Sequence, residues 1–301
     1  MLYKEEIKRL ATEVGFDLCG IARPIGLISE SLFLQQWIEQ GYHSSLSYME
    51  RNIDKRAEVT KLVEGAKSII VCALHYKNDI SEGYPIDFPA KIASYATMRD
   101  YHDTIKQMLR TMCERMKEEV PTLKGRIFVD SAPIFEKRYA VEAGLGWIGR
   151  QSLLVTPKFG TFVLLGEIVL CQECDSYDEP YKGIGCGECH RCIDGCPNGA
   201  IENGHIDTRR CISRATIERE CDTCTDCHGW IFGCDECQSV CPYNRRAPKA
   251  SNPITTPLFN PLHLTPNLWA EMTEKEFQER FGSTPLSRSS LERIQRLCRK
   301  E

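Results

Sequence analysis

Two cysteine runs constrain the fold of this 301-residue chain more than any other feature. The first run is CxxCxxCxxxCP over residues 186–197, and the second is CxxCxxxCP over residues 234–242. This spacing lets one loop deliver three thiolates to a 4Fe–4S cluster, while the cysteine before proline reaches a second cluster. The two runs therefore predict two 4Fe–4S clusters and the transfer of single electrons.

Crossed ligation assigns most of the cluster ligands, because the last cysteine of each run serves the other cluster in proteins with this pattern. Cluster A is then predicted to be held by Cys186, Cys189, Cys192 and Cys241. Cluster B takes three ligands from the runs, which are Cys196, Cys234 and Cys237. Its fourth ligand could be Cys211, Cys221, Cys224 or Cys227. A zinc ribbon is the alternative for the whole set.

The composition indicates a cytoplasmic protein with reduced cysteines. Most of the 17 cysteines lie between residues 171 and 241, and we recognise no secretion signal, so metal ligation fits better than disulfide bonds. We see no apolar stretch of roughly 18 residues, and we expect no membrane partner. The net charge of −4 does not indicate nucleic-acid binding. Local arginines such as Arg209, Arg210 and Arg214 could form either a solvated face or an RNA-contacting patch.

The chain divides into three predicted parts. Residues 1–170 alternate helical and strand patterns and are predicted to form an α/β domain. Residues 171–246 are rich in cysteine, glycine and charge, as expected of a small ferredoxin-like domain stabilised by clusters. Residues 247–301 begin with several prolines and continue as a short helical tail that packs on the rest.

Within these parts, several elements have clear patterns. Residues 4–14 form an amphipathic helix, and residues 68–76 form a buried strand. Residues 126–130 form a strand that ends on an acid, Asp130. Two tail helices are expected near residues 273–281 and 287–299, with Cys298 as a surface thiol.

Five further cysteines predict an additional metal site, because two CxxC pairs can form a tetrahedral thiolate site. This site would use Cys171 and Cys174 with two or three of Cys221, Cys224 and Cys227, and zinc is the expected metal. The alternatives are that these cysteines are loose thiols or that one of them completes cluster B.

Beyond the cysteines, the sequence resembles the epoxyqueuosine reductase family. The matching strings are NIDKRAEV, GAKSIIV, RDYH at 99–102, VDSAPIFEKRYAVEAGLGWIGRQSLL at 129–154, CGECHRCIDGCPNGAI at 186–201, DTRRCIS at 207–213, IFGCDECQSVCPYNR at 231–245 and FGSTPLSR at 281–288. The resemblance covers most of residues 1–250. It implies a corrinoid-binding α/β domain like that of the reductive dehalogenases, and it assigns the fourth ligand of cluster B to Cys211.

The resemblance also implies a reaction. Members reduce epoxyqueuosine at the wobble position of a tRNA to queuosine, with electrons passing through two 4Fe–4S clusters to a base-off cobalamin. The family pattern makes Asp130, in the VDSAP string, the proton donor. An acid at the end of a strand suits a pocket mouth, and desolvation would raise its pKa. The alternative for Asp130 is a helix N-cap before Pro133.

Other residues are predicted to contact the corrinoid. Arg56 could pair with an amide or phosphate of the cofactor, and Tyr95 could flank the ring. Gly146 and Gly149 could let the backbone approach a large macrocycle. His102 is expected to be structural, because it lies near the start of a helix.

The cysteine-rich stretch at 220–230 departs from the family pattern and could indicate a divergent paralogue with a changed substrate. The alternatives are therefore a corrinoid reductase of small molecules and a ferredoxin-like electron carrier without corrinoid. For the reductase of tRNA we expect a monomer that receives electrons from a flavodoxin or a ferredoxin.

Overall fold

The computed structural model describes residues 1–202, 204–218 and 226–299. The helices of this part are α1 (Lys4–Val14), α2 (Ile28–Glu39), α3 (Ile53–Ala57), α4 (Tyr101–Glu119), α5 (Glu136–Glu142), α6 (Arg191–Asp194), α7 (Ile212–Ile217), α8 (Glu236–Ser239), α9 (Pro242–Arg246), α10 (Pro266–Glu271), α11 (Glu274–Phe281) and α12 (Leu291–Cys298). The strands are β1 (Leu18–Ala22), β2 (Ser68–His75), β3 (Lys91–Ile92), β4 (Gly125–Phe128), β5 (Trp147–Ile148), β6 (Leu154–Val155), β7 (Val163–Leu170), β8 (Ile201–Glu202), β9 (His205–Ile206) and β10 (Trp230–Phe232). None of these helices is both long and apolar enough to cross a lipid bilayer.

A four-stranded antiparallel sheet in the order β1–β2–β7–β4 is the centre of the first 170 residues. Strand β2 is buried along its whole length because both faces of the sheet are covered. Cys72 points into a core that it shares with α1 and α4, whereas Val71 points into a second core that it shares with α5. The predicted α/β class is confirmed, and so are the helix at residues 4–14 and, to within one residue, the strand at 68–76.

The register of the sheet fixes one unusual position. Glu167 of β7 lies opposite Val71 of β2 and opposite Phe128 of β4. Val71 and Phe128 belong to the core on the α5 side, and Glu167 therefore points to the same side. An acid in the middle of a buried strand is rare unless it has a role there.

Strand β4 is shorter than expected and ends at Phe128. Asp130 therefore lies in the loop between β4 and α5, where its backbone is left-handed with φ 52°. The alternative of a helix N-cap is wrong for Asp130, because α5 begins after Phe135.

The tail packs on a third core that combines three separate stretches of sequence. Ile92 of β3, Phe232 of β10, and Trp269 and Phe281 of the tail are all buried there. Strand β10 also pairs with β3 in parallel, so the cysteine-rich stretch is joined to the first 170 residues by hydrogen bonds as well as by packing.

The two helices expected in the tail are present as α11 and α12, and the tail also contains α10, which was not predicted from the sequence. One expectation for the tail is corrected. Cys298 is buried rather than exposed, and this burial raises its pKa to about 12.

Candidate iron–sulfur centres and active site

The first cysteine set combines the first run with one cysteine of the second. Cys192 lies on α6, and Cys241 directly precedes α9. Burial raises the pKa of Cys241, and the charges of Cys186 and Cys189 raise it further. Burial also raises the pKa of Cys192, with contributions from Cys186 and Cys241. The structure thus brings together the four cysteines predicted for cluster A.

The second set is assembled in the same crossed manner. Burial raises the pKa of Cys237 well above its ordinary value, and charges on Cys211 and Cys196 add to this effect. Burial raises the pKa of Cys234 as well, with contributions from Cys237 and Cys211. The structure brings together the four cysteines predicted for cluster B, including Cys211 at the start of α7.

Neither set is arranged around a single ion. Thiolates that bind one zinc ion lie about 2.3 Å from it, and no three His, Cys, Asp or Glu side chains converge in this way within the described ranges. Thiolates that surround a cluster of four irons are expected to stand further apart.

Trp147 contacts the first cysteine set directly. Its indole Nε1–H donates to Sγ of Cys186 at 3.4 Å. Tyr181 stacks on the indole ring at 5.1 Å, and Tyr243 packs edge-on at 4.8 Å. Sequence reasoning missed this role, although Trp147 stands in the quoted AGLGWIG string.

Two glycines around Trp147 serve the packing of the chain itself. A Cβ atom on Gly146 would lie 2.0 Å from the carbonyl oxygen of Val155, and one on Gly149 would lie 2.4 Å from Oε1 of Gln151. The space beside both glycines is thus occupied by protein atoms. The structure does not support the prediction that Gly146 and Gly149 make room for a corrinoid.

Asp130 is the centre of a separate polar cluster. Its side chain is 56% exposed, and its Oδ2 accepts a hydrogen bond of 2.7 Å from the Tyr101 hydroxyl. Nε2 of His102 lies 3.4 Å from the same oxygen. Burial would raise the pKa of Asp130, but the interactions with His102 and Tyr101 outweigh it and lower that pKa. The expected upward shift of this pKa is therefore wrong.

His102 connects Asp130 to a second carboxylate. Its Nδ1 lies 2.8 Å from Oδ1 of Asp100, and Nε of Arg288 lies 3.5 Å from the other Asp100 oxygen. Burial lowers the pKa of His102, but its bonds to Asp100 and Asp130 outweigh burial and raise it. His102 is therefore part of the polar cluster. Arg288 comes from the FGSTPLSR string just before the tail's last helix and reaches the cluster from there.

Two glutamates lie behind Asp130. Oε1 of Glu136, in the first turn of α5, accepts the backbone N–H of Asp130 at 2.7 Å. Burial raises the pKa of Glu136 to about 7, and the charge of Asp130 adds to this shift. Glu167 lies beside it, and burial raises the pKa of Glu167 well above its ordinary value. Sequence reasoning missed both residues, although an acid in the apolar strand VLLGEIVL was a usable signal.

Arg56 and Tyr95 border this cluster, and their role as cofactor contacts stays a prediction. Arg56 of α3 is half-buried; burial lowers its pKa, and the charges of Tyr48 and Glu136 raise it. Tyr95 packs edge-on against Tyr101 at 6.1 Å, and it also packs on the small apolar cluster that Cys234 contacts. Tyr95 therefore lies between the second cysteine set and the polar cluster.

Of the cysteines predicted for an additional metal site, the structure describes Cys171, Cys174 and Cys227, and it places these three apart. Cys171 packs on the α5 side of the sheet, where its Sγ lies 3.4 Å from the carbonyl oxygen of Glu64. Cys174 is buried in the core on the opposite side. Cys227 packs near Trp230. Cys221 and Cys224 lie outside the described residues, and the predicted site, which needs at least one of them, stays a prediction.

The structure thus combines two crossed cysteine sets with an α/β sheet and a polar acid–base cluster. These features define the class of the protein as an iron–sulfur oxidoreductase with two clusters. Family models agree with this class. "Epoxyqueuosine reductase QueG, DUF1730" matches residues 56–131, and "4Fe-4S double cluster binding domain" matches residues 185–244.

Curated and solved proteins give the particular family. An epoxyqueuosine reductase of Cyclobacterium marinum is 40% identical over 298 residues, which cover 96% of this chain and 94% of that protein. The chain therefore belongs to the epoxyqueuosine reductase family. A crystal structure of an epoxyqueuosine reductase with an epoxyqueuosine-modified tRNA-Tyr stem loop matches with a TM-score of 0.87 and 26% identity, over 98% of this chain and 79% of that one. The Bacillus subtilis enzyme matches equally well (TM-score 0.87, 26% identity, 98% and 79% covered), in a structure with its catalytic aspartate loop swung out of the active site.

Proposed function

We propose that this chain reduces epoxyqueuosine in tRNA to queuosine, with electrons passing through two 4Fe–4S clusters. The observation that carries this proposal is the position of the Asp130 cluster: Tyr95 lies between it and the second cysteine set. The chain is also similar over nearly its whole length to an epoxyqueuosine reductase. The reaction needs electrons and protons at one place, and this arrangement supplies a source of each.

Asp130 is proposed as the proton donor to the substrate. Its carboxylate is exposed, while Tyr101 and His102 hold it from the protein side. The carboxyl group can therefore reach an incoming nucleoside without leaving its partners. Because the pKa of Asp130 is lowered, Asp130 carries its proton only briefly and must receive it from a neighbouring group.

A cobalamin is proposed as the redox cofactor at this face. The residues fit it on one side: Arg56 offers a guanidinium for polar groups of the cofactor, and Tyr95 offers an aromatic ring between this face and the second cysteine set. When bound, the cofactor would supply a cobalt ion that exchanges single electrons with the clusters.

The remaining features of the proposal concern partners. A reduced flavodoxin or ferredoxin would supply the electrons, the chain would act as a monomer, and the reaction would take place in the cytoplasm, where tRNA is modified. A changed substrate is not favoured, because the similarity to the Cyclobacterium marinum protein extends over 96% of the chain.

The test is turnover of a tRNA stem loop that contains epoxyqueuosine, under anaerobic conditions, with cobalamin and a chemical reductant. We expect queuosine to form only when both are present. Absence of product from a protein that carries its full iron content and binds cobalamin would refute the proposal. Iron content and the absorption spectrum of bound cobalamin are measured on the same sample.

A further inference from the structure

The strongest feature that the proposed chemistry leaves unused is the pair formed by Glu136 and Glu167. Glu167 lies in the middle of the central sheet, and its side chain has no exposed surface although it is an acid. Glu136 is half-buried at the start of α5 and accepts the backbone N–H of Asp130. The two carboxyl groups thus lie one behind the other, from the interior of the sheet to the exposed Asp130.

The pair has the arrangement of two carboxyl groups that share a proton. Neither oxygen of Glu167 accepts a hydrogen bond from any N–H or O–H group in the part of the chain that the structure describes. Its neighbouring polar group is the carboxyl of Glu136, and the two groups shift each other's pKa. A buried carboxylate without a donor is strongly disfavoured, and two adjacent carboxylates cannot both be ionised at little cost. A proton held between them satisfies both groups.

The charged surroundings allow this state. Three charged or titratable groups on other elements face Glu136: Asp130 in the loop after β4, Glu167 on β7 and Arg56 on α3. Lys137 follows Glu136 on α5. Besides Glu136, the charge of Asp130 acts on Glu167 and raises its pKa. The charge of Glu167 acts in turn on the buried thiol of Cys72, which points to the other face of the sheet. The cations lie on the Glu136 side, so the pair is expected to release its proton at Glu136 and toward Asp130.

The reaction requires more protons than Asp130 can carry at one time. Converting the epoxide to an alkene breaks two carbon–oxygen bonds, forms the carbon–carbon double bond and releases the oxygen as water. Two electrons, supplied through the clusters, and two protons are consumed. Asp130 holds one proton at most, and a second must therefore reach the site during each turnover.

We propose that Glu136 and Glu167 together store one proton and return it to Asp130 after Asp130 has protonated the substrate. The proposal rests on the proposed function. Glu136 is a positioning residue as well, because its bond to the backbone of Asp130 holds the left-handed loop conformation. The exposed Asp130 then takes up a proton from solvent and passes it back to the pair.

The shared proton can be tested without substrate. Infrared spectra of the purified protein at pH 6 to 8 should contain the band of a protonated carboxyl group, which shifts in D₂O. Glu167→Gln should lose this band at pH 8, because Glu136, with a pKa of about 7, is ionised there. Glu142→Gln is the matched control, because Glu142 lies on the same helix and pairs with Arg138. Absence of the band from the unmodified protein, or its persistence in Glu167→Gln at pH 8, would overturn the proposal.

The supply of the proton is tested by the pH profile of turnover at saturating tRNA. The unmodified protein should lose rate as the pH rises through about 7, where Glu136 ionises. Glu136→Gln should be at least 10-fold slower at pH 6 and should lack this decline, whereas Glu142→Gln should behave as the unmodified protein. If Glu136→Gln does not fold, Glu167→Gln should still be slower than the unmodified protein at pH 6.

The rival proton source is His102, which pairs with Asp130 directly. A decline that persists in Glu136→Gln and disappears in His102→Gln would assign the second proton to His102 and overturn the proposal. Failure of the proposed function is distinguishable, because a chain without any turnover would still give the infrared result.

Discussion

At the scale of single residues, Tyr101 and His102 decide the charge of Asp130. Both interact with the same carboxylate oxygen, and together they outweigh the effect of burial on its pKa. Sequence reasoning expected the opposite shift because it considered burial without these partners. Burial also raises the pKa of Tyr101 far above its ordinary value, and Asp130 adds to this shift. The hydroxyl of Tyr101 therefore remains a hydrogen-bond donor at every working pH.

Asp130→Asn keeps the shape of this side chain but removes the acid. We expect turnover of epoxyqueuosine tRNA to fall by roughly 100-fold or more, which is the range for loss of general acid catalysis. Iron content and tRNA affinity should not change. Asp103→Asn is the matched control, because Asp103 lies in the first turn of α4 and is exposed. Turnover of Asp130→Asn close to that of the unmodified protein would contradict the assignment of the proton donor.

Trp147 is expected to tune one cluster selectively. Hydrogen bonds to ligand sulfur atoms help to set the potential of iron–sulfur clusters. Trp147→Phe removes the donor to Cys186, and loss of a hydrogen bond of about 1 kcal/mol would lower the one-electron potential of cluster A by about 40 mV. A redox titration followed by electron paramagnetic resonance measures this change. Cluster B is the internal control, and Trp37→Phe controls for loss of an indole donor, because Trp37 donates to the backbone of Ile206. An unchanged cluster A potential would contradict the prediction.

At the scale of elements, the short hairpin of β5 and β6 positions Trp147. Gly146 permits this hairpin, because the backbone of Gly146 passes so close to Val155 that a Cβ atom would not fit between them. Gly146→Ala should therefore destabilise the protein by about 1–3 kcal/mol, as expected when an atom is forced into a filled space. Thermal unfolding measures the loss. Gly26→Ala is the control, since a Cβ there meets nothing within 4 Å, and equal effects in the two variants would contradict this explanation.

Cys211 directly precedes helix α7, which brings its thiol to the second cysteine set. Cys211→Ala should lower the iron content from about eight to about four per chain, because a cluster needs four ligands. Chemical iron analysis and the electron paramagnetic resonance spectrum report the loss. The matched variant Cys227→Ala should keep both clusters. The reverse result would move the fourth ligand of cluster B to Cys227.

The elements also show which parts of the fold can be predicted from sequence. Helix α1 and strand β2 are predictable because local periodicity determines them. Seven cluster cysteines were expected from the spacing within the two runs and from crossed ligation, whereas Cys211 was assigned only through the family resemblance. The pairing of β10 with β3 is a contact between residues about 140 positions apart, and no local pattern indicates it. For the same reason, the sequence did not show that Arg288 and Glu167 lie near Asp130.

At the scale of the whole molecule, the buried glutamates make stability depend on pH. In the unfolded chain Glu136 releases its proton near its ordinary pKa of 4.5, whereas burial in the folded protein raises this pKa to about 7. Between these values the folded state binds more protons, so the free energy of unfolding falls as the pH rises. A shift of this size corresponds to at most about 3 kcal/mol.

Denaturant unfolding between pH 4.5 and 7.5 should therefore show less of this decline in Glu136→Gln than in the unmodified protein. Comparing the two proteins cancels the contribution of other groups. One of these groups is Asp100. Burial would raise the pKa of Asp100, but the hydrogen bonds from His102 and the charge of Arg288 outweigh burial and lower that pKa to about 2. The ionised Asp100 therefore stabilises the fold above that pH. Parallel curves for the two proteins would show that Glu136 does not keep its proton in the folded state.

The pairing of β3 with β10 has a consequence for protein engineering. The stretch that binds the clusters also supplies a strand to the first 170 residues, and the tail covers that strand with Trp269 and Phe281. A foreign ferredoxin transplanted in place of residues 171–246 would bring clusters but would leave β3 without its partner. Chimaeras that exchange the electron-transfer module should therefore keep β10 and the tail of the host, and exchange only the loops that carry the cysteines.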